Sequence, residues 1–262
     1  MKVMLGVPCY GGNLHACCAS SIIALYDKTR RAGHSLSTYW VWNESLIQRA
    51  RNNALSSFLS SDADVLFFID SDVEFSPQKA TAMLEDAHYF STSEGLSRLH
   101  GHVVPPIVGG SYPSKRIDPD SFADGVALGM APAEALATSA KQTIYADIKS
   151  SADMVNAVYT DTSTYFEVEH LPTGLMAISR RAALAYLELV KPARYQQDGE
   201  LRADWFACDV AEVGEAKTPT LLSEDYSFCR RYIDKAGGKV LVCTDLIGAH
   251  YGSMMFGKKP GA

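Results

Sequence analysis

Two carboxylates one residue apart carry the clearest chemical signal in this sequence. Asp70 and Asp72 directly follow the apolar run Val65-Leu-Phe-Phe-Ile69. Such a run is typical of a strand covered on both faces in a parallel sheet, and these sheets bind ligands beyond the carboxyl ends of their strands. Two close carboxylates repel each other unless a cation or hydrogen-bond donors lie between them. The pair therefore predicts a divalent metal site, with an ordinary strand-end turn as the alternative.

The elements around the pair read as repeated βα units. Strands are predicted at 2–7 and 36–42, and a helix at 14–31 closed by Gly33. Further helices are predicted from 43 or 45 to 59, from Pro77 to 89 with Ser76 as N-cap, at 180–190, and from Ser223 to Gly237. A last strand is predicted at 239–246. Between 116 and 164 the periodicity weakens, and only a helix near 132–140 is indicated.

The helix before the acid pair has a polar and an apolar face. The apolar face holds Leu46, Ile47, Ala50, Ala54 and Phe58, and the polar face holds Ser45, Arg49, Asn52, Asn53 and Ser56. Arg51 lies on the shoulder of the apolar face. Arg49 and Asn52 could hold a base, ribose or diphosphate through charge-assisted hydrogen bonds, although a solvated helix face has the same pattern.

Composition excludes several classes of protein. The 262 residues are 47% hydrophobic and 21% charged, as expected of one globular domain. The net charge of −6 argues against a nucleic-acid surface. Six cysteines without C-x-x-C spacing favour reduced thiols in a cytoplasmic setting, which would be the host cytoplasm for a viral protein. No apolar stretch approaches the roughly 20 residues of a membrane span.

The chain resembles the nucleotide-sugar-dependent glycosyltransferases of GT-A fold, in particular the small viral and bacterial enzymes with an N-terminal V-P-x-Y strand. The resemblance covers most of the chain outside 116–164. Its motifs are Val7-Pro-Cys-Tyr10, Glu44-Ser-Leu-Ile-Gln-Arg-Ala-Arg-Asn52, Phe68-Ile-Asp-Ser-Asp72, Gly109-Gly-Ser-Tyr-Pro-Ser-Lys115, Thr173-Gly174, Ser223-Glu-Asp225 and His250-Tyr-Gly252.

The resemblance implies a single α/β domain with a Rossmann-like, mixed and mostly parallel sheet flanked by helices. It divides the chain into a nucleotide-binding half at 1–115, a variable insert at 116–164 and an acceptor and catalytic half at 165–262. The implied donor is a nucleotide sugar, with UDP as its nucleotide, and the implied acceptor is a glycan or another hydroxyl compound. Neither the sugar, the acceptor nor the oligomeric state follows from the sequence.

The resemblance also implies roles for individual residues. The expected nucleotide-sugar ligands are Pro8, Tyr10, Arg49, Asn52, Asp70, Ser71, Lys115 and Gly174. Asp70, Asp72 and His250 are expected to hold Mn²⁺ or Mg²⁺, and a nitrogen ligand favours Mn²⁺. The metal would stabilise the departing diphosphate.

Asp225 is the implied general base of an inverting transfer. The alternatives are structural. Acids in the first turn of a helix stabilise it through the helix dipole, a lone histidine is often a structural residue, and Lys115 could be an ordinary surface lysine.

Other functions share parts of this pattern. A haloacid-dehalogenase-like phosphatase also has a D-x-D after an apolar strand, but there the motif continues with Thr or Val where this chain has Glu74, and it lies near the N-terminus. A P-loop NTPase is excluded because the chain has no G-x-x-x-x-G-K-[ST]. A catalytically silent module that binds sugar nucleotides or glycans stays open, because fold does not guarantee activity.

Overall fold

A computed structural model of the protein describes residues 1–99, 103–142, 144, 157–213, 217–252, 255–256 and 259. The strands are β1 (Lys2–Cys9), β2 (Ser35–Trp42), β3 (Val65–Ile69), β4 (Val73–Glu74), β5 (Ile107–Ser111), β6 (Pro113–Ile117), β7 (Ala140–Gln142), β8 (Val158–Tyr159), β9 (Thr164–Glu167), β10 (Leu175–Ser179), β11 (Arg194–Gln197), β12 (Glu200–Ala203), β13 (Val210–Val213), β14 (Thr218–Leu221), β15 (Val240–Ile247), β16 (Ala249–Tyr251) and β17 (Met255–Phe256). The helices are α1 (Ala16–Arg31), α2 (Ile47–Ser60), α3 (Pro77–Tyr89), α4 (Ser93–Ser97), α5 (Pro119–Ala127), α6 (Pro132–Thr138), α7 (Arg180–Leu189) and α8 (Glu224–Ala236).

An eight-stranded sheet in the order β2-β1-β3-β10-β5-β15-β9-β8 forms the centre of the fold. Only β10 and β9 run against the other six strands, so the sheet is mixed but mostly of one direction. Helices cover both faces. This confirms the predicted single α/β domain, and the architecture is consistent with a Rossmann-like GT-A fold.

The β3 strand shows why the sheet needs two helical layers. All five of its residues are fully buried. Val65, Phe67 and Ile69 pack into the core formed with α1 and α3, whereas Leu66 and Phe68 pack into the core formed with α2, α7 and α8. Each such side chain contributes roughly 1.5–3 kcal/mol on full burial. An apolar residue at every position is what a strand between two cores requires.

The topology places a crevice beside the end of β3. From β1, the second strand from one edge of the sheet, the chain passes through α1 to β2 on one side and then through α2 to β3 on the other. The helices α1 and α2 pack on opposite faces of the sheet. The order of strands therefore reverses at β1, and ligands of open α/β sheets bind at such a switch point.

Most helix boundaries agree with the sequence, and the exceptions have local causes. The α2 helix begins only at Ile47, because the preceding Leu46 is extended and no side chain caps the helix. Within 116–164 the structure adds α5, which begins at a Pro with Asp118 as its N-cap. The predicted helix at 132–140 ends at Thr138. Residues 143 and 145–156 lie outside the described ranges.

No helix within the described ranges has both the length and the apolar character that a membrane span requires.

Arg180 holds the carboxyl end of α2 against the sheet. Its guanidinium donates to the carbonyls of Phe58, Leu59, Ser61 and Ala63 at 2.7–3.1 Å. Carbonyls in the last turn of a helix have no partner within the helix. We expect Arg180→Met to lower the free energy of unfolding by about 2–4 kcal/mol, because charged hydrogen bonds to these acceptors are lost.

Urea denaturation measures this effect. Arg181→Met is the matched control, because exposed Arg181 makes a single bond to the Ser91 carbonyl. It should change the free energy of unfolding by less than about 0.5 kcal/mol. Equal losses in the two variants would contradict a specific role for Arg180.

Candidate active site

Three separate elements hold the loop that carries the acid pair. The Asp70 amide donates to the Gly174 carbonyl at 3.2 Å, and the Ser71 carbonyl accepts from the His15 amide at 2.8 Å. The Asp72 carbonyl accepts from the Tyr251 amide at 2.9 Å. The loop is thus fixed by backbone bonds before β10, before α1 and in β16. Both carboxylates are presented at the carboxyl edge of the sheet, as the sequence predicts.

The Asp70 carboxylate is held by two buried side chains. Arg51 Nη2 donates to Oδ1 at 3.1 Å, and the Tyr112 hydroxyl donates to Oδ2 at 3.2 Å. Gly174 lies directly against this pair, since a Cβ there would stand 2.4 Å from the Tyr112 hydroxyl and 2.7 Å from Asp70 Oδ2. A side chain at 174 would therefore displace the groups that orient Asp70.

The Asp72 carboxylate has a different set of partners. Lys115 Nζ lies 2.5 Å from Oδ2, and His250 Nε2 lies 3.2 Å from Oδ1. Burial raises the pKa of Asp72, but hydrogen bonds and charge from His250 and Lys115 outweigh it and lower the pKa to about 2. Asp72 is therefore an anion at neutral pH and attracts cations.

His250 is oriented for a ligand by a backbone carbonyl. Its Nδ1 lies 3.0 Å from the Pro113 oxygen, which can only accept, so Nδ1 carries a hydrogen. Nε2 therefore donates to Asp72 Oδ1 when the ring carries both protons, and in the neutral ring its lone pair could bind a cation placed between the two groups. Metal-bound histidines characteristically donate their other ring N–H in this way.

Asp72 and His250 together offer one carboxylate oxygen and one imidazole nitrogen. This donor set suits Mn²⁺, which accepts both ligand types. In the described part of the chain, no group of three His, Cys, Asp or Glu side chains is arranged to hold a metal ion. A cation at this site would therefore need further ligands from a bound anion and water.

A cleft of about 290 Å³ lies at the switch point between β1 and β3. The acid pair, Ser71 and His250 line one side of it. Pro8 and Tyr10 line it from the end of β1, and Tyr10 is 74% exposed. The structure thus brings the predicted nucleotide-contacting residues of β1 and the predicted metal ligands to one crevice.

Two predicted nucleotide ligands on α2 lie elsewhere. Arg49 donates two hydrogen bonds to the Glu44 carboxylate. Glu44 lines the cleft, but Arg49 does not line it. The sequence predicts Asn52 on the polar face of its helix, and this prediction is wrong, because Asn52 is only 2% exposed. Its amide is used by Asp204 Oδ1 at 2.9 Å and by the Phe206 amide at 3.0 Å. Asn52 therefore ties α2 to the segment after β12.

Asp225 lies in a second cleft of about 350 Å³ that adjoins the first. Lys115 and His250 line it from one side, and Asp225 lines it from the start of α8. The Asp225 carboxylate accepts hydrogen bonds from the Ser223 hydroxyl and, at 2.9 Å, from the Tyr226 amide. Because Ser223 bonds to Asp225, its side chain makes no capping bond to the α8 backbone. His250 lines both clefts and joins the metal-binding candidates to the predicted base.

Three residues of this site, two buried and one partly buried, are not predicted as ligands from the sequence: Arg51, Tyr112 and Glu224. Arg51 is 4% exposed and contacts both Asp70 and Glu224. Its position on the shoulder of an apolar helix face was a usable signal, since a charge turned toward a core requires partners. Tyr112 and Glu224 lie within two of the quoted motifs, but nothing in their spacing revealed which side chains they would contact.

A larger cavity of about 770 Å³ lies away from the acid pair, between α3 and β8. Its buried carboxylate, Asp86, accepts hydrogen bonds from Tyr165 at 2.7 Å, Thr160 at 2.9 Å and Thr162 at 3.4 Å. Burial raises the pKa of Asp86, and these hydroxyls lower it in part. The hydroxyls already use the carboxylate to tie β9 and its preceding turn to α3, so we assign the group a structural role.

Comparisons with known proteins leave the interpretation to this geometry. No family model matches the chain, and no curated protein matches it. Among solved structures, the crystal structure of A197 from STIV aligns with 96% of this chain and 86% of its own, at 15% sequence identity and a TM-score of 0.46. A likeness at that level supports no conclusion about activity.

Proposed function

We propose that this protein is a metal-dependent glycosyltransferase that moves a sugar from a nucleoside diphosphate to a hydroxyl of a glycan or similar acceptor. The family resemblance alone favours UDP as the nucleotide. One observation supports the proposed transfer most. Asp72 and His250 meet in the switch-point crevice, and Asp225 lies in the cleft that shares His250. A donor and an acceptor could thus occupy adjoining clefts.

The cation, Mn²⁺ or Mg²⁺, would be held by Asp72 and His250, with diphosphate oxygens and water as further ligands. When bound, it would stabilise negative charge on the departing diphosphate. Asp70 would orient the donor while Arg51 and Tyr112 fix its carboxylate. Tyr10 and Pro8 would contact the nucleotide from the end of β1. The Lys115 ammonium group would exchange its ion pair with Asp72 for one with the diphosphate.

Asp225 would accept the proton of the acceptor hydroxyl as that oxygen attacks the anomeric carbon from the side opposite the diphosphate. Inversion follows from this single displacement. Residues 1–115 would bind the nucleotide and 165–262 the acceptor, with 116–164 as a variable insert. These halves share one sheet, because β10 lies between β3 and β5. They would therefore work as parts of a single rigid body.

The geometry disfavours the phosphatase alternative. A haloacid-dehalogenase-like enzyme would use Asp70 as its nucleophile. Here both Asp70 oxygens accept hydrogen bonds, one from a buried guanidinium. Those bonds stabilise the carboxylate and reduce its nucleophilicity. Asp70 is better suited to orienting a ligand than to attacking a phosphorus atom.

Release of the nucleoside diphosphate from a panel of UDP-sugars, with Mn²⁺ or with EDTA, tests the proposal. Mn²⁺-dependent release, increased by a suitable acceptor, is the expected result. Phosphate release from a generic ester, lost in Asp70→Asn, would instead establish a phosphatase. Donor binding without turnover across many acceptors would establish a silent binding module.

Lys115 provides a separate prediction about the metal. Lys115 and a divalent cation both need Asp72, so we expect Lys115→Met to bind Mn²⁺ about two- to fivefold more tightly without nucleotide, the value of a partly exposed ion pair. Its affinity for UDP in saturating Mn²⁺ should fall, because the diphosphate loses a cation. Calorimetric titrations measure both affinities.

Lys79→Met is the matched control, since Lys79 forms a comparable ion pair with Asp245 away from the clefts. It should leave both affinities unchanged. Weaker Mn²⁺ binding in Lys115→Met without nucleotide would contradict the competition.

A further inference from the structure

A buried ion-pair network joins the acid-pair edge to the helix that carries Asp225. Arg51 Nη2 donates to Asp70 Oδ1 at 3.1 Å, and its Nη1 contacts Glu224 Oε1. Arg51 is 4% exposed, and the Glu224 side chain is 14% exposed. The network connects α2, the end of β3 and the first residue of α8, which are separated by up to 173 positions in the chain.

Burial makes this network strong when intact and costly when broken. An isolated guanidinium is poorly tolerated away from water, and here two carboxylates compensate it. Burial lowers the pKa of Arg51, but the negative charges of Asp70 and Glu224 raise it by a larger amount. The guanidinium therefore stays charged. Removing only Glu224 would leave the buried Nη1 of Arg51 without its hydrogen-bond partner, whereas removing Arg51 as well would remove that penalty.

Glu224 is one of the side chains that hold the first turn of α8, together with Tyr226, whose ring lies 3.6 Å from that of His170, and Ser227, whose hydroxyl accepts from the Asp209 amide at 2.9 Å. Ser223, at the N-cap position, does not cap the helix through its hydroxyl. Asp225, the next residue, bonds only to its neighbours Ser223 and Tyr226 among the contacts described. The first turn of α8 is therefore tied to the acid-pair edge through Glu224 and Arg51.

We infer that Glu224 is a positioning residue, which acts through Arg51 to hold Asp225 at a fixed distance from the donor bound at Asp70 and Asp72. This inference rests on the proposed function for its catalytic consequence. A base displaced by about 1 Å can cost on the order of 100-fold in rate. The network would thus affect turnover more than donor binding.

The first test compares Glu224→Ala with Asp234→Ala, a variant of an exposed acid at the far end of α8. Glu224→Ala should lower kcat by on the order of 100-fold, with KM for the donor within about threefold of wild type. Glu224→Gln, which keeps a hydrogen-bond acceptor, should recover part of that loss. Asp234→Ala should keep wild-type kcat. A wild-type kcat in Glu224→Ala would overturn the inference.

The double variant Arg51→Met with Glu224→Met separates positioning from stability. Replacing both partners should restore most of the unfolding midpoint that Glu224→Met alone loses, because no buried guanidinium N–H is left unpaired, and the partly exposed Asp70 keeps the Tyr112 hydroxyl as a partner. The kcat should stay low. Recovery of kcat together with the midpoint would show that the network only stabilises the fold, and would overturn the positioning role.

Amide hydrogen exchange gives a readout that does not require turnover. In Glu224→Ala the first turn of α8 should exchange at least tenfold faster than in wild type, with no change in Asp234→Ala. Unchanged exchange would overturn the tether even for a protein that transfers sugar. A wild type that neither binds nor cleaves sugar nucleotides would overturn the proposed function, while the exchange data would still judge the tether.

Discussion

Asp225→Asn is expected to lower kcat for sugar transfer by about 10²- to 10⁴-fold, the usual contribution of a general base. The amide cannot accept the proton of the acceptor hydroxyl. It can still accept hydrogen bonds from Ser223 and the Tyr226 amide, so the start of α8 should keep its structure. The affinity for UDP with Mn²⁺ should stay within about threefold of wild type, because Asp225 lies in the adjoining cleft.

Steady-state kinetics and calorimetry on the same preparation check both parts of this prediction. Asp234→Asn is the matched control, with an exposed aspartate on the same helix. If Asp225 served only the helix dipole, its replacement would cost about 0.3–1 kcal/mol of stability and leave turnover intact. That pattern would eliminate Asp225 as the base.

Asp72→Asn is expected to abolish the dependence of nucleotide binding on metal. The wild-type carboxylate is ionised at neutral pH, and the amide carries no charge for the cation. Loss of a group that only orients a ligand typically costs 10- to 100-fold in metal affinity, so loss of a direct ligand should cost at least about 100-fold. Turnover should fall accordingly.

The same variant should bind UDP in EDTA at least as well as wild type does, because Lys115 and His250 lose their anionic partner. This opposite change distinguishes loss of a metal ligand from misfolding. Asp245→Asn, which breaks the ion pair with Lys79, is the control and should behave as wild type. An unchanged response to Mn²⁺ in Asp72→Asn would remove Asp72 from the metal site.

Sequence reasoning was most effective where burial restricts residue type. A strand between two cores must be apolar at each position, so Val65 to Ile69 identified both the strand and the edge on which the acids lie. Proline and glycine likewise marked the ends of α3 and α8, where Pro77 begins one helix and Gly237 adopts a left-handed conformation after the other.

It was least effective for polar side chains near an amphipathic boundary. Helical periodicity predicts Arg51 near the core, where it lies, but it predicts Asn52 outward, whereas Asn52 is buried. Segments distant in the chain supply the hydrogen-bond partners of both residues. Asp204 lies 152 positions from Asn52 and Glu224 lies 173 positions from Arg51, and one sequence cannot reveal such pairings. In the insert, short helices such as α5 expose most of their residues and leave little periodicity to detect.

Calorimetric titration of UDP into the wild-type protein, with Mn²⁺ and then with EDTA, tests the central claim most directly. The account predicts saturable binding with Mn²⁺ and at least tenfold weaker binding in EDTA, because Asp72 and His250 would hold a cation that would stabilise the negative charge of the diphosphate. Equal affinity in the two conditions, or no binding of UDP or any other nucleoside diphosphate, would contradict it.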